Sequence, residues 1–276
     1  MNNKSVKHFL KKIYFLKNIY FLLQHGKGKL RRSINKDVIS ANSFAKNFKK
    51  SRDEFYSNPN LMIDFMKNHS IYDLWNFYLH SDKGPHYRMP WGETLMTKLP
   101  MDVWIYKSLI VKSKPNLIIE IGTQRGTSAI LLNELSKEFN TKVITFDILK
   151  PTLDILLKFK KLNISFFQTD CTTEKIIDDV LSVGIAENEI RALVIDDGSH
   201  DKIDVLKTFN LLKTYIKSQF FYVIEDGFSN ELLGKKNFLA MNAVREILKS
   251  DKSFVNYKEF DDFLFSSNFM AILQKQ

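Results

Sequence analysis

From Leu117 onward, short apolar runs alternate with longer stretches whose apolar residues recur at helical spacing. Leu117–Ile121, Val143–Phe146, Ile164–Phe167, Ala192–Ile195 and Phe220–Ile224 are four or five residues long and rich in β-branched or aromatic side chains. Runs of that kind predict strands buried on both faces. Helical spacing predicts helices between them, clearest over Ala129–Phe139 and Lys202–Ser218. Phe254–Tyr257 and Phe263–Leu273 predict two closing strands. Strands alternating with helices predict an α/β fold, a mostly parallel sheet of seven strands with helices on both faces. Two strands after the last helix predict an antiparallel edge.

Upstream the pattern changes. Residues 37–116 predict a helical lead-in, with helices over Leu61–Asn68 and Ile71–His80 and another opening at Pro100. Ser81–Gly92 contains Gly84-Pro85 and Met89-Pro90 and predicts a loop. Its His86, Tyr87, Arg88 and Trp91 are candidates to hold a substrate by stacking or hydrogen bonding. In residues 1–36, Phe9, Ile13, Leu16, Tyr20 and Leu23 form one helical stripe. Lys17 interrupts the apolar run and no small-residue cleavage site follows, so a secretory signal is not expected.

Charge sharpens this division. The chain of 276 residues carries 41 Lys and Arg against 31 Asp and Glu, a net +10. Residues 1–36 hold ten of the basic side chains and none of the acidic ones. The arm therefore suits an anionic membrane surface, or a docking face on the protein's own body or a neighbouring subunit in a homo-oligomer; both readings stay open. The remainder is neutral, which argues against a nucleic-acid partner. A single cysteine, Cys171, excludes an intrachain disulfide and fits a reducing, cytoplasmic setting, with the arm at the inner face of the membrane. The expected organisation is an arm over 1–36, the lead-in over 37–116 and a catalytic domain over 117–276.

The predicted strands share one chemical feature: each runs into a carboxylate, namely Glu120, Asp147, Asp170, the pair Asp196 and Asp197, and the pair Glu225 and Asp226. Open α/β sheets bind ligands at the carboxyl ends of their strands, so these groups predict an acidic rim. Glu120-Ile-Gly-Thr-Gln-Arg-Gly-Thr-Ser128 joins the first strand to its helix through Gly122 and Gly126. It matches neither G-x-G-x-x-G nor a P-loop. An acid ahead of the loop suits a cationic ligand, and Asp147 suits a ribose diol. With Asp170 bordering the base, the set points to S-adenosylmethionine, held by Glu120, Gly122, Thr123, Gly126, Thr127, Ser128, Asp147, Asp170 and Asp196.

The other half of the rim predicts metal chemistry. Asp197, Glu225 and Asp226 from adjacent strand ends suit a hard divalent cation such as Mg²⁺. His200 is then placed to take a proton from a hydroxyl beside that cation. The competing structural reading makes Asp197 a helix cap, Asp226-Gly227 a turn and His200 a surface residue.

These segments resemble the cephalosporin hydroxylase/rhamnosyl O-methyltransferase family. The resemblance runs over roughly residues 75–273 and rests on Leu99–Trp104, Glu120–Ser128, Asp197 with His200, and Glu225-Asp226. The Asp-Asp-Gly-Ser-His string is also similar to that of metal-dependent macrolide-sugar O-methyltransferases. The resemblance implies a Rossmann-like class I methyltransferase fold, Mg²⁺ on Asp197, Glu225 and Asp226, and His200 as base. It implies methyl transfer from S-adenosylmethionine to a sugar hydroxyl. A surface polysaccharide or glycan precursor would then be the acceptor. Hydroxylation on the same fold and a non-catalytic membrane-binding role are the alternatives; no facial triad of two His and one carboxylate supports the former.

Overall fold

The computed structural model describes residues 89–91, 94–96, 98–227, 239–260, 266, 268 and 270–276. The chain divides into compact units Met1–Phe77 and Tyr78–Gln276, and all the described elements belong to the second. The arm, the helices expected over 61–80, and His86, Tyr87 and Arg88 lie outside the described residues.

The described elements begin with β1 (Met89–Trp91), β2 (Thr94–Met96), α1 (Pro100–Ser113) and β3 (Leu117–Ile121). They continue with α2 (Thr127–Ser136), β4 (Lys142–Asp147), α3 (Leu153–Leu162), β5 (Ile164–Gln168) and α4 (Lys175–Leu181). The last are β6 (Ala192–Asp196), α5 (Lys202–Leu212), β7 (Phe221–Ile224), α6 (Ala240–Ser250), β8 (Phe254–Asn256) and β9 (Ile272–Lys275).

Strands β3 to β9 form a seven-stranded sheet in the order β5-β4-β3-β6-β7-β9-β8. The five strands from β5 to β7 in that order are parallel, while β9 pairs antiparallel with both β7 and β8. The expected sheet and its antiparallel edge are both present. The order reverses between β3 and β6, the place where open α/β sheets form a ligand crevice.

Strand alternation explains the layers. Ile118, Val143, Leu193, Ile195, Val223 and Ile272 pack on one face with residues of α1, α2 and α3. Ile119, Ile121, Ile144, Phe146, Val194 and Tyr222 pack on the other with residues of α4, α5 and α6. Every residue of β3 is buried, as a strand covered on both faces requires. Pro100 opens α1 without costing a backbone hydrogen bond. Asp201 caps α5 by accepting from the Ile203 N–H at 2.8 Å.

Three expectations are corrected. Within the stretch expected as a loop, Met89–Trp91 pairs antiparallel with Thr94–Met96; the prolines suggested a loop, but a short two-stranded ribbon tolerates Pro90 at its edge. The closing strand is Ile272–Lys275, later and shorter than Phe263–Leu273. Ser266 and Asn268 instead bury their side chains, both bonding the Asp102 carboxylate. The helix expected to reach Ser218 stops at Leu212 and tightens into a 3₁₀ turn over Lys213–Tyr215.

Among the described glycines, Gly122 leaves the least room for a side chain. Its φ is +93°, and a Cβ there would lie 2.1 Å from the backbone oxygen of Asp197. The β3 and β6 termini are stitched beside it, with the Asp197 N–H donating to the Ile121 carbonyl at 2.9 Å. Gly122→Ala combines a forbidden φ with a backbone clash, so it should destabilise the protein by roughly 2–4 kcal/mol. Urea unfolding measures this; a loss below about 0.5 kcal/mol would show that the two loops separate freely.

Candidate functional site

A cleft of about 790 Å³ opens at the carboxyl ends of β3 to β7. At one end Gly122, Thr123, Thr127, Ser128, Asp147 and Asp170 line it; at the other lie Asp196, Asp197, His200, Glu225 and Asp226. Of the acidic rim expected from the strand ends, Asp147, Asp170, Asp196, Asp197, Glu225 and Asp226 share this cleft, and Glu120 does not.

Local structure fixes the first end. The Asp147 carboxylate accepts from the Gln124 N–H and the Leu149 N–H, both at 2.8 Å. The Asp170 carboxylate accepts from both the backbone and hydroxyl of Thr172, and the backbone bond leads in holding its pKa below the usual value. Glu120 and Gly126 do not line the cleft. Glu120 is buried in the sheet, where Thr145 Oγ1 donates to it at 2.5 Å. Gly126, with φ +72°, makes room for α3: a Cβ there would meet Ile155 at 2.5 Å. Both act on the loop from behind.

At the second end the cap reading for Asp197 is excluded, because Asp201 holds that place. Asp197, His200 and Asp226 present ligand atoms that all lie within 4.8 Å of one another. His200 Nε2 stands 3.8 Å from Asp197 Oδ1. His200 and Asp226 have φ of 57° and 55°, a left-handed backbone that costs non-glycine residues about 1–3 kcal/mol each and collects at functional sites. The two carboxylates suit a hard divalent cation, with the imidazole beside them.

Glu225 stands apart from that group. Its Oε1 accepts from Tyr106 Oη at 2.5 Å and its Oε2 from Lys98 Nζ at 2.5 Å. Lys98 also donates to Asp197 Oδ2 at 2.7 Å, and its side chain is 6% exposed. Burial opposes the Lys98 ammonium, but the Asp197 and Glu225 carboxylates outweigh it and hold its pKa well above the ordinary lysine value. Burial likewise keeps the Tyr106 hydroxyl protonated, as a donor to Glu225 must be. Sequence reasoning missed Lys98, Tyr106 and Asp102, the last also at the cleft wall. Nothing in the spacing of Lys98 distinguishes it from a surface lysine. Trp91 is absent from the cleft lining; its indole N–H donates to Glu134 of α2 at 2.5 Å.

The comparisons with known proteins agree with this architecture. The family model described as Rhamnosyl O-methyltransferase/CmcI matches residues 84–275, and the chain belongs to that family. It is 26% identical over 129 residues to a rhamnosyl O-methyltransferase of Mycobacterium tuberculosis strain H37Rv, covering 45% of this chain and 51% of the relative. To the Mycobacterium leprae protein of that name it is 25% identical over 140 residues, covering 49% and 59%. The chain thus spans about half the length of the curated relatives it matches. A solved structure of CmcI with Mg and SAM superposes with a TM-score of 0.50 at 16% identity, covering 76% of this chain and 86% of that one. The fold is that of the class I methyltransferases.

Two buried acids make stability pH-dependent. Burial raises Glu120 from 4.5 to about 7, against hydrogen bonds from Ser128 and Thr145. Burial raises Asp196 from 3.8 to about 6, against the Tyr222 hydroxyl. The folded state therefore holds protons that the unfolded state has already released. Their stabilisation is complete at low pH and is lost as pH rises through about 4 to 7. Relative to the wild type, Glu120→Gln should gain on the order of 1–3 kcal/mol of stability between pH 5 and pH 8. Unfolding curves at the two pH values measure it, and an unchanged difference would contradict the buried-acid assignment.

Proposed function

We propose that this chain is a metal-assisted O-methyltransferase that moves a methyl group from S-adenosylmethionine to a sugar hydroxyl. The observation that carries this reading is the single cleft that joins the 122–128 loop and Asp147 to the group of Asp197, His200 and Asp226. The relatives' name, rhamnosyl O-methyltransferase, supports a deoxysugar or related glycan as acceptor. A surface polysaccharide or its precursor is the acceptor we favour.

S-Adenosylmethionine supplies an electrophilic methyl on a sulfonium, and a divalent cation such as Mg²⁺ supplies charge that acidifies a neighbouring hydroxyl. The chain's own residues do the rest. Gly122 lets the loop backbone approach the cofactor closely. Asp147, fixed by two backbone N–H donors, offers its remaining lone pairs to a ribose diol. Asp197, Glu225 and Asp226, which all line this end of the cleft, would hold the cation, because a hard ion favours oxygen donors. That leaves the His200 imidazole to take the acceptor's proton at Nε2, with the Asp197 carboxylate 3.8 Å away to stabilise the imidazolium. The basic residues 1–36 support an anionic membrane surface as the place where a lipid-linked glycan is met. No helix among the described residues is long and apolar enough to cross a membrane.

Transfer of labelled methyl from S-adenosylmethionine to a rhamnoside should stop in excess EDTA and return with Mg²⁺. His200→Ala should lower the rate about 10²–10⁴-fold with affinities nearly unchanged. Undiminished transfer in EDTA sinks the metal assignment, and a wild-type rate in His200→Ala removes the base. Calorimetry should find S-adenosylmethionine bound about 1.5–3 kcal/mol more weakly by Asp147→Ala for each carboxylate bond lost; equal affinity would displace the cofactor from this end of the cleft.

A further inference from the structure

Helix α3 carries apolar residues on both of its sides, whereas a surface helix ordinarily buries one stripe and turns a polar face to water. Phe159 faces the core, with Ile155, Leu156 and Leu162 packed beside it. Leu153 and Leu157 lie on the outward side, 70% and 50% exposed. Four residues apart, they form one row along the helix. Lys160 and Lys161, both exposed, follow one turn later on the same side. The helix holds three lysines and one carboxylate, Asp154. Just ahead of it Leu149 is 72% exposed and Lys150 is exposed beside it. Ile148 and Leu149 also line the cleft, so the row starts at the cleft mouth.

We propose that the outward face of α3 is a membrane-docking surface. Leu149, Leu153 and Leu157 enter the headgroup region of an anionic bilayer, and Lys150, Lys160 and Lys161 meet its phosphates. The inference rests on the reading that the acceptor is met at such a surface, and it adds a contact made by the folded body to that of residues 1–36. Exposed leucines beside lysines match a boundary that is apolar beneath and negative at its surface. A lysine lays its stem along the apolar row while its ammonium stays in water. A second copy of the chain fits this face less well, because two-fold packing of so short a row on itself brings the lysines of one protomer against those of the other. Docked in this way, α3 holds the cleft mouth at the lipid surface, where a glycan on a lipid carrier enters without leaving the bilayer.

A fluorescent reporter on the full chain tests this. The protein's one cysteine, Cys171, is buried, so a bimane label goes to an introduced Leu153→Cys. With vesicles of phosphatidylglycerol and phosphatidylcholine, its emission should shift to the blue and be quenched by nitroxide-labelled lipid. The same label at Val255→Cys, exposed on β8 at the edge of the sheet opposite β5, should stay as in water. Leu153→Ser combined with Leu157→Ser, both surface positions, should bind these vesicles at least about tenfold more weakly. A chain that sediments with the vesicles while the label at 153 stays as in water overturns the proposal and leaves the membrane reading of residues 1–36 standing. A blue shift that grows with protein concentration and needs no vesicles gives the face to a second copy and overturns it too. Absence of sedimentation with the vesicles overturns both readings.

Discussion

The site depends on how closely two strand ends can approach. β3 and β6 lie side by side at the point where the sheet order reverses, and the chain leaving each must turn in opposite directions. Gly122 meets the Asp197 carbonyl so closely that no side chain fits between them. That contact merges the loop at the end of β3 with the carboxylates at the end of β6. A side chain at Gly122 would push these two loops apart.

Charge imposes the second constraint. Glu120, Asp196 and Glu225 are all buried close to the rim, and each needs a partner, because an unpaired buried charge is costly. The fold answers each locally. Thr145 serves Glu120, Tyr222 serves Asp196, and Lys98 with Tyr106 serves Glu225. Asp197 and His200 keep some exposure, 26% and 15%, and face the cleft with Asp226. Burial thus grades the carboxylates along the cleft, from the enclosed Asp196 and Glu225 to the more open Asp197 and Asp226.

Much of this was legible in the chain. The apolar runs located the strands of the parallel sheet because burial on both faces leaves no polar alternation to confuse. The carboxylates after each run marked the rim, because a parallel sheet brings all those ends to one side. Other features resist such reading. The sequence offered Asp197 as a helix cap, and only the structure shows that Asp201 holds that place by bonding Ile203. Glu225 and Asp226 are neighbours just past β7 and both line the cleft, yet Glu225 is enclosed and Asp226 is half-buried. Lys98 lies 127 positions from Glu225, so nothing local announces their bond. The closing strand was misplaced because Phe263, Leu264 and Phe265 extend the apolar run, whereas buried hydrogen bonds from Ser266 and Asn268 to Asp102 determine how the chain enters β9.

Proton NMR of bound S-adenosylhomocysteine with Mn²⁺ added tests most directly whether cofactor and metal share one cleft, since a paramagnetic ion broadens only nearby nuclei. A shared cleft predicts strong broadening of the homocysteine and ribose protons in the wild type and its loss in Asp226→Asn. Sharp lines from the bound ligand while Mn²⁺ is also bound to the protein would contradict it.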